Sequence, residues 1–328
     1  KRRASRLLER LSLNKQGKGE NGMDDIKLPE ESILSKTRIQ RSLQSFMRTV
    51  LYDFEEYALE NPLLLKHIRN TSLVFTESEE CYTNGKRIVL GLNSPLFKSV
   101  ENNNVLYKKA QGIIMHELGH VFFTNFDAVQ SFLNKATQNY KKLSNAAKEV
   151  LNILEDLRIE EKLAEHNPYN RKLFLMNRLS ITKNIVEEFK TRSFDSDSRR
   201  AIAIMDGALA MGFLQKPIKT TDRKTNQLLL KVFPIAMKAV RSNKTEEIIH
   251  YTDQVMKMIQ TLDIPEQEKR DVSSTNTKVS RRQFGGGTSQ PLDGTPADMA
   301  GNRGEGEEQV SNGPASEQKN YNIGDALE

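Results

Sequence analysis

The stretch Gly112-Ile113-Ile114-Met115-His116-Glu117-Leu118-Gly119-His120-Val121 organises the reading of this 328-residue chain. Ile113, Ile114 and Val121 continue an apolar face that starts at Leu106 and Ala110. The spacing predicts a helix from about Asn103 to Thr124. Histidines at i and i+4 project from one side of such a helix, so both imidazoles can reach a single cation. Glu117, next to the first histidine, falls where it can take a proton from a water on that cation. The alternative is a pair of satisfied, partly buried histidines. Two features weigh against it. The chain holds only five histidines, which makes a chance pairing improbable, and Phe122 and Phe123 extend an apolar setting in which unpaired polar groups are costly.

Zinc is the expected ion, because it lowers the pKa of a bound water toward about 7 and so yields a nucleophile at neutral pH. The only cysteine is Cys81, which excludes an intramolecular disulfide and a thiolate-rich shell. A hydrolytic site needs a third protein ligand and an open position. The metzincin spacing asks for glycine and histidine where this chain has Phe123 and Phe126, so that arrangement is excluded. Asp127 could serve only if the helix broke sharply. Leu151-Asn152-Ile153-Leu154-Glu155-Asp156-Leu157-Arg158-Ile159-Glu160 is the better source. Glu155 is the expected third ligand and Asp156 the alternative, with an ordinary charged helix face as the competing explanation. Asn152 and Asp156 are placed to orient ligands through imidazole N–H groups, and Arg158 to pair with one of the carboxylates.

On these residues the chain resembles the zincin metallopeptidases, and among them the glutamate-zincin branch. The His-Glu-Leu-Gly-His form together with Asn-x-x-Glu-Asp-x-Arg-Ile-Glu is also similar to the metallopeptidase-like region found beside von Willebrand A domains in bacterial and phage proteins. The resemblance covers roughly residues 70–165. It implies zinc held by His116, His120 and Glu155, with Glu117 as the catalytic base. It further implies an edge strand above the active helix, to which a peptide substrate adds by main-chain hydrogen bonds. Such families also use a Tyr, His or Arg toward the oxyanion. His166, Tyr169 and Arg171 are candidates, though no motif selects one of them. His67 and His250 have no ligand neighbours and read as structural.

The expected fold class is α+β and mostly α. Residues 1–30 read as a flexible basic arm, 31–264 as a zincin-like domain, and 265–328 as a disordered tail or linker. Within the domain, 31–126 holds the β structure and the His-Glu-x-x-His helix, and 127–264 forms a helical part. Ile39, Leu43, Phe46, Met47, Val50, Leu51 and Phe54 mark a first helix, ended by Asn61-Pro62. Leu73-Val74-Phe75 and Arg87-Ile88-Val89-Leu90 read as the strands of a hairpin around Thr83-Asn84-Gly85. Later helices are expected over 127–141, 144–165, 171–191, 198–214, 223–241 and 244–261. Residues 265–328 hold nine of the 18 glycines and too little apolar surface to offset chain entropy.

Net charge is +6, and residues 1–28 carry eight Lys/Arg against four Asp/Glu. No aromatic residues interleave with these charges, which argues against nucleic acid and leaves a solvated tail. No apolar run approaches the ~20 residues of a membrane span. The chain begins at Lys1, its first methionine is Met23, and its start lacks the apolar core of a signal peptide. A fragment or processed product is expected. A reducing, cytoplasmic setting fits the single cysteine, and association with a phage particle is a further expectation that the resemblance implies. The expected partners are a protein or peptide substrate and proteins tethered by the tail. The competing class is a zinc-stabilised helical adaptor without hydrolytic activity.

Overall fold

The computed structural model describes residues 33–272, except 60, 61, 99, 101 and 271. The basic arm and nearly all of the tail lie outside the described residues. A 3-10 turn, Ile33–Ser35, leads into α1 (Thr37–Ala58) and α2 (Pro62–Arg69), followed by β1 (Ser72–Thr76), β2 (Tyr82–Thr83) and β3 (Arg87–Gly91). Then come α3 (Pro95–Lys98), α4 (Asn103–Phe123), α5 (Phe126–Tyr140), α6 (Ser144–His166) and α7 (Pro168–Thr191). The series closes with α8 (Asp197–Leu214), α9 (Arg223–Val240) and α10 (Thr245–Gln260). The fold is α+β and mostly α, as expected. No helix among the described residues is long and apolar enough to cross a membrane.

The helix boundaries follow local chemistry. Asn102 caps α4 by accepting from the backbone N–H groups of Asn104 and Val105, and Asn125 caps α5 by accepting from Ala128. Asn167 does the same for α7, with Pro168 in the first turn, where its missing N–H leaves no donor wanting.

The expected hairpin is corrected. β1 and β3 are neighbours, but they run parallel, with Leu73 opposite Ile88 and Phe75 opposite Leu90. The hairpin is instead β2–β3, antiparallel, with Thr83 opposite Ile88. The Asn84-Gly85 turn supplies one chain reversal: Asn84 Oδ1 accepts from Lys86 and Arg87, and Gly85 takes φ +83°, which glycine adopts freely. The segment between β1 and β2 supplies a second reversal, so β1 and β3 point the same way. The strand order is β1-β3-β2, which leaves β2 on an edge.

Two helices organise the interior. Every residue of α4 from Gly112 to Gly119 is buried, because β2, β3, α1 and α2 cover one side of it while α6 and α7 cover the other. α6 in turn touches α4, α5, α7, α8, α9 and α10. The approach of α4 to its neighbours uses its glycines. A Cβ at Gly112 would lie 2.4 Å from Asn177 Nδ2 and 3.1 Å from the Leu173 carbonyl oxygen on α7. A Cβ at Gly119 would lie 2.8 Å from Leu163 Cδ1 on α6.

Candidate metal centre

His116 and His120, one helical turn apart on α4, face α6 with ring centroids 5.0 Å apart. Asp156 of α6 meets them. Its Oδ1 lies 3.3 Å from His120 Nε2 and 3.6 Å from His116 Nε2. Among the described residues, His116, His120 and Asp156 are the group able to offer one ligand atom each within 4.8 Å of one another. Asp156 Oδ1 is buried without a hydrogen-bond partner, whereas its Oδ2 accepts from Arg178. Such an orphaned acceptor beside two imidazole nitrogens fits a cation.

Glu155, the expected third ligand, is not in this group. It neighbours Asp156 in sequence, and successive helical residues point about 100° apart, so the two carboxylates do not both point at the His116–His120 pair. Glu155 turns toward the end of α4 and the start of α10. There it accepts from Arg158 Nε at 2.9 Å and Nη2 at 2.6 Å, and from Thr245 at 3.0 Å. The expected pairing of Arg158 with one of the carboxylates falls on Glu155.

The surroundings of the cluster hold its geometry. Glu160, one turn beyond Asp156, accepts from His116 Nδ1 at 2.9 Å, which turns His116 Nε2 toward Asp156. Arg178 of α7 donates from Nη2 to Glu160 Oε1 at 2.7 Å and to Asp156 Oδ2 at 3.1 Å. Burial pushes the Asp156 carboxyl up, but the His116 imidazole, the nearby His120 imidazole and the Arg178 guanidinium outweigh it and hold Asp156 below its ordinary value. Glu160 is likewise raised by burial and brought below its ordinary value, chiefly by Arg178 and then by His116. For His116, burial lowers the pKa, while Asp156 and Glu160 raise it further and leave it above the ordinary value.

Glu117 occupies different surroundings. It is fully buried, and neither carboxylate oxygen makes a well-formed hydrogen bond. Burial pushes its pKa up to about 8, against smaller lowering effects from His116 and the Thr83 backbone. It lines a small cavity of ≈ 30 Å³ together with His120, Thr83 of the edge strand β2, Phe126 and Asn152. That volume suits one or two waters.

The other sequence candidates lie elsewhere. His166 packs on Phe54, Arg171 pairs with Glu161 at 2.7 Å, and Tyr169 is 46% exposed. His250 contacts Gln254 on the surface, Asp127 is exposed, and the side chain of His67 lies outside the described residues. Sequence reading missed Glu160, Thr124 and Arg178. Two of them carried a signal in their spacing: Glu160 is i+4 from Asp156, and Thr124 is i+4 from His120. Arg178, on another helix, carried none.

Comparison with family models, curated proteins and solved structures gives no match for this chain.

Proposed function

We propose that this chain is a zinc-dependent metallopeptidase that hydrolyses peptide bonds, with His116, His120 and Asp156 as ligands and Glu117 as the catalytic base. The observation that carries the reading is the convergence of His116 Nε2, His120 Nε2 and the orphaned Asp156 Oδ1 beside an unpartnered, buried Glu117. Asp156 replaces Glu155 of the sequence expectation as third ligand. A bound zinc ion supplies Lewis-acid polarisation of the scissile carbonyl and lowers the pKa of a water.

The protein's own groups do the rest. Glu117 accepts the proton of the attacking water and passes it to the departing amine. Its pKa of about 8 without a cation means that positive charge at the ligand cluster is needed to favour the ionised, basic form near neutrality. Glu160 and Arg178 keep His116 and Asp156 oriented. β2 lies on an edge of the sheet, to which an extended peptide can add by main-chain hydrogen bonds, and its Thr83 lines the Glu117 cavity. The single cysteine fits a reducing setting such as the cytoplasm.

The test combines metal content with cleavage of a denatured protein, with and without chelator. Glu117→Gln should retain zinc and lose hydrolysis; full activity in the zinc-loaded variant would sink the mechanism. One observation favours a second reading, a zinc-stabilised helical adaptor. His116 is 3% and Asp156 4% exposed, a degree of enclosure that suits a structural ion. Stoichiometric zinc without any chelator-sensitive cleavage would select the adaptor.

A further inference from the structure

Thr124 is the first residue beyond α4, and its backbone is extended (φ −84°, ψ 127°) while its N–H still bonds to the His120 carbonyl. This holds the hydroxyl beside the His120 ring. Thr124 Oγ1 lies 3.0 Å from His120 Nδ1 and 2.7 Å from Glu155 Oε1. A hydroxyl has one hydrogen to give. Glu155 is committed as an acceptor, because Arg158 Nε and Nη2 and the Thr245 hydroxyl all donate to it. The Thr124 hydrogen therefore goes to Glu155, and the face it turns to His120 is a lone pair.

We infer that Thr124 and Glu155 form a positioning relay that fixes the proton of His120 on Nδ1 and so presents Nε2 to the metal. The inference deepens the metallopeptidase reading and rests on His120 being a ligand. It gives Glu155 a role in the site other than ligation. Arg158 holds Glu155, Glu155 takes the Thr124 hydrogen, and Thr124 accepts from His120. The far end is anchored beyond α4. Arg158 Nη2 also donates to the Phe123 carbonyl at 2.8 Å, and the Asn125 backbone N–H donates to Thr245 Oγ1 at 2.9 Å. The start of α10 is thereby tied to the end of the metal-binding helix. His116 is oriented by direct contact with a carboxylate, whereas His120 is oriented through an intervening hydroxyl.

The relay is tested on the full chain with Thr124→Val, which keeps shape and removes the hydroxyl, and Thr124→Ser, which restores it. Zinc affinity is measured by competition with a chromophoric chelator. It should fall about 10–100-fold in Thr124→Val and return toward the parent value in Thr124→Ser. Imidazole 15N–1H spectra, recorded at about pH 8 and so above the ordinary histidine range, locate the His120 proton. Nδ1 should carry a slowly exchanging proton in the parent and in Thr124→Ser, and lose that protection in Thr124→Val. An unprotonated His120 Nδ1 in the parent overturns the relay, as does a Thr124→Val protein that matches the parent in both zinc affinity and exchange. If no protein binds zinc, the metallopeptidase reading fails by itself, and the proton position in the metal-free protein still decides the relay.

Discussion

Arg178 Nη2 donates to Asp156 Oδ2 at 3.1 Å, and this bond leaves the other carboxylate oxygen, Oδ1, turned to the two imidazoles. The same guanidinium grips Glu160, so one buried cation sets the acidic wall of the site. Arg178→Leu strands two buried carboxylates. It should destabilise the fold by about 3–5 kcal/mol, measured as a lower urea midpoint at unchanged slope. A loss under about 1 kcal/mol would contradict this account of the pairing.

Ligation can be separated from support. Asp156→Asn should bind zinc far more weakly than the parent, whereas Glu155→Gln should retain stoichiometric zinc with an affinity about 10–100-fold lower. Elemental analysis after dialysis distinguishes them. The reverse ranking would return Glu155 to the ligand set.

The α4–α7 approach has no room at Gly112. Gly112→Ala brings a Cβ against Asn177 Nδ2 and the Leu173 carbonyl, and the carbonyl cannot swing away as a side-chain end can. Overpacking of this kind should cost about 1–3 kcal/mol, despite the better helix propensity of alanine. Thermal melting reads the difference.

Cys81 should be chemically quiet. Burial pushes its thiol up to about 12, so almost no thiolate exists at neutral pH, and the thiolate is the reactive form. Labelling by a disulfide reagent should be slow in the native protein and fast in urea. Fast native labelling would mean that the segment before β2 opens readily.

Asp197 gives a pH-dependent contribution with a defined sign. Burial raises its carboxyl, but hydrogen bonds from Lys224, Arg200 and the Asp263 backbone bring its pKa down to about 2. A depressed folded-state pKa contributes stability above the ordinary value near 3.8 and loses it as pH falls through about 2. Asp197→Asn should therefore destabilise the protein near neutrality by about 1 kcal/mol, and the gap from the parent should close in acid. A gap that persists below pH ~2 would assign the effect to packing.

Much of the helical framework was legible because helix formation and termination are local. The apolar period around Ile113 and Ile114 and the stop before Pro62 both act within a turn or two. The observed α4, Asn103–Phe123, ends one residue short of the expected helix. The β pairing was not legible in the same way. Asn84-Gly85 announces a reversal, but whether Arg87–Gly91 pairs next with Tyr82–Thr83 or with Ser72–Thr76 depends on a second reversal without a comparable signature.

By itself, the sequence determined that His116 and His120 share a helix face with Glu117 beside them, because i and i+4 residues align on any α-helix. It also supplied two adjacent carboxylates, Glu155 and Asp156, on a later helix. Only the tertiary structure turns one of them, Asp156, toward the two imidazoles. Gly119 lets α6 press Ile159 and Leu163 against α4, and that contact fixes the rotation of α6 about its axis. Asp156 and Glu160 lie on the same stripe as Ile159 and Leu163, whereas Glu155 is turned about 100° away from Asp156 toward Arg158. Helix rotation is set by packing between elements distant in the chain, and local periodicity carries no measure of it.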